Sequence, residues 1–492
     1  MTDLAEPRRT SGWTPVLTAL DLLRQFILPL VVVVAFNAGN MAQSAISAGG
    51  LITLFTASRI VSWLRQRWWV EGDRLRVRSG LLQIDDRTIP VDRIQRIDRN
   101  QTLGSRFLGL YELRAETAGG SGSELSLRYL SGVEADALED WLDEQRHGVL
   151  HDQQFEKVEE LLTATPFRDL IIGGATSNRI GALAILVGTA FQLFDDATAN
   201  TYEIIERWFP AITEPFSSRS GVIVAGAVIV VLALVVGWIA SIATTVLRFF
   251  EFRLVLTDDE LRRSHGLLSR FQASSPLHRI QAVRIEQPLL RRVFGYSSVV
   301  AETAGSPGGD SGGSGMLTPI APNGPALALT ARVLGPEEAE IVSLQPVSRL
   351  TVRRGLIRAL LLLAAPAAGV VFLAVDSGPA GWIGPPLAAV AAASWYARAR
   401  FRALGYRVSD GHVVTREGVL TRRWWSVPLA KVQTVAIRRS PFQRRLGLAT
   451  VSVDTAGGSA PIRIVDLPGD LADEIGMRLI ERSTASYNAD AV

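Results

Sequence analysis

Apolar residues follow two patterns that alternate along the chain. Three pairs of long apolar runs recur, and each pair is followed by roughly 80 to 100 residues of mixed character. A helix that spans a bilayer needs about 20 mostly apolar residues. Six segments approach this requirement and predict three transmembrane helix pairs, at residues 16–36, 44–64, 180–194, 221–247, 356–375 and 381–397.

The stretch after each helix pair has the pattern of antiparallel β-strands. In Leu75-Arg76-Val77-Arg78, apolar and polar residues alternate, as in a strand with one buried face. Gly80, Gly266 and Gly418 stand where the pattern requires turns. Near the ends of the first and third stretches, apolar residues recur at helical spacing. The pattern therefore predicts an all-β module with a closing helix.

The three stretches are copies of one module, which recurs 186 residues later and then 152 residues after that. A Gly-Leu-Leu or Gly-Val-Leu turn, a proline, a basic residue followed two positions later by Gln, a further Gly and a Glu/Asp-Thr-Ala-Gly run recur at fixed spacing. We expect the repeated polar and glycine positions to be structural: Arg93, Gln95, Gly109, Arg279, Gln281, Gly295, Lys431, Gln433 and Gly447.

The run GVLTRRWWSVPLAKVQTVAIRRSPFQRRLGLATVSVDTAGG (418–458) resembles the bacterial pleckstrin-homology (PH) domain of membrane proteins. The order of two helices and one such domain, three times over, resembles the YdbT-like family. The second copy departs at a Gly/Ser-rich insertion, 306–325, and the first lacks the Ser440-Pro441 pair. The resemblance implies PH-like barrels at the cytoplasmic face, and partnership with a smaller membrane protein that has one PH-like domain.

The predicted fold class is therefore six membrane-spanning helices in hairpins plus three all-β PH-like barrels, each closed by a C-terminal helix. The expected boundaries are helix pairs at 1–65, 149–248 (with a linker) and 347–402, PH-like domains at 66–148, 249–346 and 403–483, and a tail at 484–492. Arginines flank the helix pairs, whereas the loops within the pairs contain few basic residues. Because cytoplasmic loops carry the Lys/Arg excess, we expect a bacterial plasma membrane protein with both termini and all PH-like domains in the cytoplasm; the inverted orientation is the alternative.

Gly309-Asp310-Ser311-Gly312-Gly313 matches the nucleophile motif of chymotrypsin-like serine proteases. No sequence resembling the protease His motif accompanies it, and its Gly/Ser-rich surroundings are typical of a flexible linker. The chain has no Cys, and its five His residues lack metal-ligand spacing. We therefore expect no catalytic residue, no metal and no cofactor. A net charge of +3 gives no indication of nucleic-acid binding.

Paired arginines near the shared glycines are the candidate binding residues. Arg forms bidentate hydrogen bonds to phosphate, so these positions could bind anionic lipid headgroups or a protein partner; a solvated face with the positive-inside bias is the alternative. The candidates are Arg106, Arg291, Arg292, Arg438, Arg439, Arg444 and Arg445.

The sequence thus predicts a non-catalytic scaffold that binds protein partners or anionic lipid at the inner leaflet, with a role in envelope protection. Membrane lipids are the expected partners, and a homo- or hetero-oligomer is a possible assembly. The alternative is a component of lipid or peptide transport. No acidic residue lies mid-span in the predicted helices, which argues against a secondary transporter.

Overall fold

The computed structural model describes residues 4–21, 50, 57–58, 60–80, 84–117, 125–147, 159–177, 219–257, 259–304, 315–335, 343–373, 379–456 and 461–490. The chain divides into two compact units, residues 1–275 and 276–492. The boundary falls inside the second repeat. Compact units and sequence repeats therefore do not coincide.

Each repeat, called a module below, contains two sets of three strands separated by a short 3-10 turn. Module 1 has strands β1 (Arg67–Glu71), β2 (Arg74–Ser79), β3 (Asp85–Pro90), β4 (Ile94–Gln101), β5 (Leu110–Thr117) and β6 (Leu125–Ser131), with helices α1 (Leu103–Phe107) and α2 (Gly132–His147). The predicted alternation is present in β2, where Leu75 and Val77 are buried and Arg76 and Arg78 are not.

Between modules 1 and 2 the chain forms β7 (Glu160–Ala164) and two helices, α3 (Phe167–Ala175) and α4 (Arg219–Phe249). Module 2 has β8 (Arg253–Thr257), β9 (Glu260–His265), β10 (Arg270–Pro276), β11 (Ile280–Pro288), α5 (Leu289–Phe294), β12 (Tyr296–Thr303), β13 (Met316–Pro322) and α6 (Asn323–Leu334). Strand β13 and the start of α6 occupy the second part of the predicted 306–325 insertion. The Ser311 motif lies outside the described residues.

Two long helices precede module 3: α7 (Leu350–Leu373) and α8 (Pro379–Ala403). The module itself has β14 (Gly405–Val408), β15 (His412–Glu417), β16 (Thr421–Pro428), β17 (Val432–Arg438), α9 (Pro441–Arg445), β18 (Leu448–Thr455), β19 (Ile462–Pro468) and α10 (Gly469–Asp490). The closing helix packs on the sheets, because Ala472, Ile475 and Leu479 join the buried core of this module.

Across the described ranges the strands belong to four open sheets, and all pairing between them is antiparallel. The first compact unit holds a sheet of order β1-β2-β3 and a seven-stranded sheet of order β6-β5-β4-β10-β9-β8-β7. The second holds a six-stranded sheet of order β13-β12-β11-β16-β15-β14 and a sheet of order β17-β18-β19. In each of the two large sheets, the second half of one module therefore pairs with the first half of the next.

The predicted fold class is wrong on two points. The modules are not closed barrels, because the strand that would close a barrel within its own module pairs instead with the neighbouring module. Among the residues that the structure describes, no helix is long and apolar enough to cross a membrane. The predicted segment 180–194, and much of 16–36 and 44–64, lies outside the described residues.

The turn prediction for the repeated glycines is confirmed. Gly80, Gly266 and Gly418 have φ values of 118°, 116° and 93°, in the region that side chains disfavour. Gly109, Gly295 and Gly447 also have positive φ, at 64°, 72° and 64°. The repeat in the sequence is thus also a repeat of backbone conformation.

Candidate functional site at the sheet junctions

Neighbouring modules meet by strand pairing at two junctions in the described structure. Module 1 pairs with module 2 and module 2 with module 3, in the same register. At the first junction β4 pairs with β10, with Gln101 opposite Arg270. At the second junction β11 pairs with β16, with Gln287 opposite Arg422. Gln287 and Arg422 are the repeat equivalents of Gln101 and Arg270. One edge contact is therefore used twice in this chain.

An arginine at one repeated position crosses each junction. At the first, Arg106 Nη1 donates to the carbonyl oxygen of Leu267 at 2.6 Å. At the second, Arg292 Nη2 donates to the carbonyl oxygen of Val419 at 3.1 Å. Donor and acceptor are repeat equivalents in both cases. Two of the predicted binding arginines thus fasten the short helix of one module to a turn of the next.

Arg292 belongs to a group of three arginines at the second junction, called the basic cluster below: Arg292, Arg416 and Arg422. Burial lowers the pKa of the Arg292 guanidinium, and the nearby charges of Arg422 and Arg416 lower it further. Burial and then Arg422 lower the pKa of Arg416 as well. The neighbouring charges thus disfavour the charged forms of Arg292 and Arg416, and a bound anion would relieve this repulsion.

The surrounding structure holds the basic cluster in place. Arg416 Nε and Nη2 donate to the carbonyl oxygens of Ala403 and Arg402, both at 3.1 Å, so this side chain caps the C-terminus of α8. Arg422 Nε is buried and has no hydrogen-bond partner among the described residues. None of the three arginines forms an ion pair with a carboxylate in the described part of the chain. The cluster therefore has unsatisfied hydrogen-bonding capacity.

A cavity of about 220 Å³ adjoins the basic cluster. It is lined by Arg416 together with Trp424, Ile285, Gln287, Ser297, Asn323 and Leu327. Gln287 Nε2 donates to Asn323 Oδ1 at 2.9 Å, which fixes the polar side of this space. An apolar wall beside a basic rim suits a ligand with an anionic head.

The other predicted binding arginines lie in different surroundings. Arg291 Nη1 donates to the carbonyl oxygen of Pro319 at 3.2 Å, and burial lowers its pKa to about 10 although Glu286 opposes this. Arg439 forms an ion pair with Asp473 at 2.7 Å. Arg438, Arg444 and Arg445 are exposed on module 3. The structure thus brings only Arg292 of the predicted set into the basic cluster.

The repeated polar residues lie at the break between the two strand sets of each module. Arg93, Arg279 and Lys431 end the three 3-10 turns. Gln281 is buried, and its Nε2 donates to the carbonyl oxygen of Arg279 at 3.2 Å. Gln433, at the same repeat position, is exposed. The difference follows from strand pairing, since β11 lies inside a sheet and β17 lies at an edge.

Sequence reasoning missed two members of the basic cluster and one ion pair. Arg416 and Arg422 lie on neighbouring strands of the β15–β16 hairpin, and their proximity to Arg292 arises only from pairing between modules. Glu286 and Arg423 pair across the same junction at 3.1 Å. The available signal was the density of arginines in the segment 416–423, beside Trp424-Trp425.

Comparison with known proteins gives the family. A family model described as "Bacterial PH domain" matches residues 22–146, 219–340 and 359–483. The chain is also 27% identical over 326 residues to the "UPF0699 transmembrane protein YdbT" of Bacillus subtilis (strain 168), an alignment that covers 62% of this chain and 64% of that protein. The chain thus matches less than two thirds of the length of this relative. No solved structure shows significant similarity to the chain. With three matches that together cover most of its length, the chain belongs to the bacterial PH domain family.

Proposed function

We propose that this protein is a non-catalytic, membrane-associated scaffold whose basic cluster binds an anionic lipid headgroup. The observation that carries the proposal is the grouping of Arg292, Arg416 and Arg422 beside an apolar-walled cavity. Arginine binds phosphate through paired hydrogen bonds, and a basic residue near an anionic leaflet contributes about 1 kcal/mol. The charge, the donors and the shape of this place all suit a phosphate-bearing lipid.

Two further observations support membrane association, and a third supports the non-catalytic part of the proposal. The relative from Bacillus subtilis is named a transmembrane protein. The sequence carries long apolar runs flanked by arginines. Neither the family description nor the name of the relative refers to a reaction. The proposed location is the bacterial plasma membrane with the PH-like modules on the cytoplasmic side, and a smaller one-domain membrane protein remains a proposed partner.

Arg422→Gln is the variant that tests lipid binding most directly, because its Nε has no hydrogen-bond partner among the described residues. The full chain, purified in mild detergent, is analysed by native mass spectrometry after equilibration with phosphatidylglycerol or phosphatidylcholine. We expect the wild type to retain phosphatidylglycerol preferentially. Loss of one charge should lower that retention about fivefold.

Arg463→Gln provides the matched control for this experiment. Arg463 is a lone exposed arginine on β19, outside the basic cluster. The Arg463→Gln substitution should change lipid retention little. Equal retention of the two lipids by the wild type, or equal effects of the two substitutions, would contradict the proposed site.

The proposed orientation is tested by cysteine labelling, because the natural chain has no Cys. A cysteine introduced at the exposed Arg463 should not react with a membrane-impermeant thiol reagent in intact cells. It should react after the cells are lysed. Labelling of intact cells at full extent would place module 3 outside the cytoplasm and remove that part of the proposal.

A further inference from the structure

The two end modules each present a sheet edge of a kind that is paired elsewhere in the chain. Each internal junction joins the fourth strand of one module (β4 or β11) to the third strand of the next (β10 or β16). The remaining third strand is β3, and the remaining fourth strand is β17. Both lie at the ends of their sheets, and no strand in the described ranges pairs with their outer edges.

The burial of these strands matches their position. Six of the nine residues of β11, which is paired on both sides, are buried. In β17 no residue is buried, and four of its seven are exposed. In β3 only Ile89 is buried, and Asp85 to Thr88 are exposed. Exposed strand edges of this kind are templates for pairing with another chain.

The charges on the two free edges are complementary at one particular register position. At the second junction, Glu286 of β11 lies opposite Arg423 of β16, and the two form an ion pair at 3.1 Å. The repeat equivalent of Glu286 in module 3 is Arg438, and the equivalent of Arg423 in module 1 is Asp85. If β17 paired with β3 in this register, Arg438 would face Asp85. This would also be an acid-base pair, but with the base on the fourth strand and the acid on the third.

We propose that β17 of one molecule pairs with β3 of a second molecule of this chain, antiparallel and in the register of the two internal junctions. Arg438 then lies opposite Asp85, and Ala436 lies opposite Arg87. Residues directly opposite in antiparallel strands have adjacent side chains on the same face, so the Arg438–Asp85 pair stabilises this register. The contact joins unlike edges and is heterologous, so it generates a ring or an open chain of molecules.

The arginine that crosses each internal junction gives independent support. Arg106 and Arg292 each donate to a carbonyl of the adjoining module. Their equivalent in module 3 is Arg444, whose side chain is exposed and forms no hydrogen bond or ion pair with another described residue. In the proposed assembly, Arg444 occupies the position of its two counterparts at a third junction.

The edge charges disfavour a competing pairing of two β3 strands that aligns their acidic ends. Two β3 edges would bring Asp85 and Asp86 of one molecule toward the same acids of the other. Like charges directly opposite each other in a sheet are destabilising. The pairing of β17 with β3 in the register of the internal junctions instead places Arg438 opposite Asp85.

Charge reversal tests the register. The full chain in mild detergent is measured by sedimentation velocity over a range of concentrations. We expect self-association of the wild type, and a dissociation constant about tenfold higher for Arg438→Glu or for Asp85→Arg. A mixture of the two variants should associate as the wild type does, because each variant then supplies the charge that the other lacks.

Arg444→Ala and Arg445→Ala form a matched pair of neighbouring exposed residues. The assembly requires Arg444 but gives Arg445 no role, so only Arg444→Ala should weaken self-association. Equal effects of the two substitutions would contradict the proposed junction and would favour a diffuse basic surface instead.

Disulfide cross-linking provides a second measurement that does not depend on charge. A chain with Asp85→Cys is mixed with a differently tagged chain with Arg438→Cys and oxidised, and the mixed disulfide should form in excess of either homodimer. Thr434→Cys in place of Arg438→Cys is the control, since it lies four residues out of register, about 13 Å along the strand. A monomeric wild type at all concentrations, or equal cross-linking at both positions, overturns the proposal.

Discussion

Arg354→Ala should reduce the stability of module 3 by about 3–5 kcal/mol, because it leaves a buried carboxylate without its counter-charge. Arg354 Nη1 lies 2.6 Å from Asp466 Oδ1, and Asp466 has no solvent exposure. Burial lowers the pKa of Arg354, and the charge of Asp466 opposes that effect. The pair joins α7 to β19, so its loss also releases the helix from the sheet.

The carboxylate is part of a larger polar network. Gln443 Nε2 donates to Asp466 Oδ1 at 2.8 Å and to Thr450 Oγ1 at 2.7 Å. Gln443 itself closes a capping box with Ser440 at the start of α9. Asp466 has a φ of 62°, an unfavourable conformation that the surrounding contacts must maintain. Removal of one partner therefore disturbs the caps and strands that the others support.

The appropriate measurement is amide hydrogen exchange of β19 and α10 in the full chain, since it reports the free energy of local opening. Arg353→Ala is the control, because Arg353 is the exposed neighbour on the same helix. The double variant Arg354→Ala/Asp466→Asn should recover part of the loss, because it removes the orphaned charge and Asn tolerates positive φ. If Arg354→Ala costs no more than Arg353→Ala, the ion pair does not stabilise the module.

The strands and the turns of the modules could be predicted from the sequence. Strands β1 and β16 each contain two neighbouring Trp residues, and alternation is present there too, since Trp68 and Trp425 are buried. The repeated glycines mark backbone conformations that only glycine adopts easily, so they appear in the sequence as fixed positions. These features depend on local chain geometry, which a local pattern records.

The pairing between modules could not be predicted in this way. A period of two residues shows which face of a strand is buried but not which strand lies beside it. The sequence of β11 is compatible with closing its own module, whereas the structure pairs it with β16 of the next module. The prediction of closed barrels was therefore wrong about which strands are neighbours in a sheet. It was not wrong about the presence of strands.

The candidate site was only partly predictable for the same reason. Arg292 was visible as one of a pair of basic residues, but Arg416 and Arg422 reach it through strand pairing between modules. The Arg354–Asp466 pair joins two elements far apart in the chain, and no pattern links them. Contacts that depend on long-range packing leave no periodic trace in one sequence.

Gly418→Ala should be the most damaging substitution at the second junction. Gly418 has a φ of 93°, and a Cβ atom there would lie 1.9 Å from the carbonyl oxygen of Thr421. Gly266, its equivalent at the first junction, is confined in the same way, with a distance of 1.8 Å to the carbonyl oxygen of Ser269. An alanine therefore meets backbone strain and a backbone clash together, and we expect a cost above about 3 kcal/mol.

Gly447→Ala separates the two causes. Gly447 also has positive φ, 64°, but no atom lies within 4 Å of the position of its Cβ. This variant should lose only about 1 kcal/mol from strain. Hydrogen exchange of β15 and β16 measures the effect of Gly418→Ala. Hydrogen exchange of β18 and β19 measures the effect of Gly447→Ala.

The functional consequence of Gly418→Ala follows from the neighbour of this glycine. The carbonyl oxygen of Val419 accepts the hydrogen bond from Arg292 that crosses the junction. A displaced turn would release Arg292 from Arg416 and Arg422, so retention of phosphatidylglycerol should fall together with the protection of β16. Gly447→Ala, which leaves this turn intact, should not alter lipid retention. Loss of strand protection without loss of lipid would show that the lipid binds elsewhere than at the basic cluster.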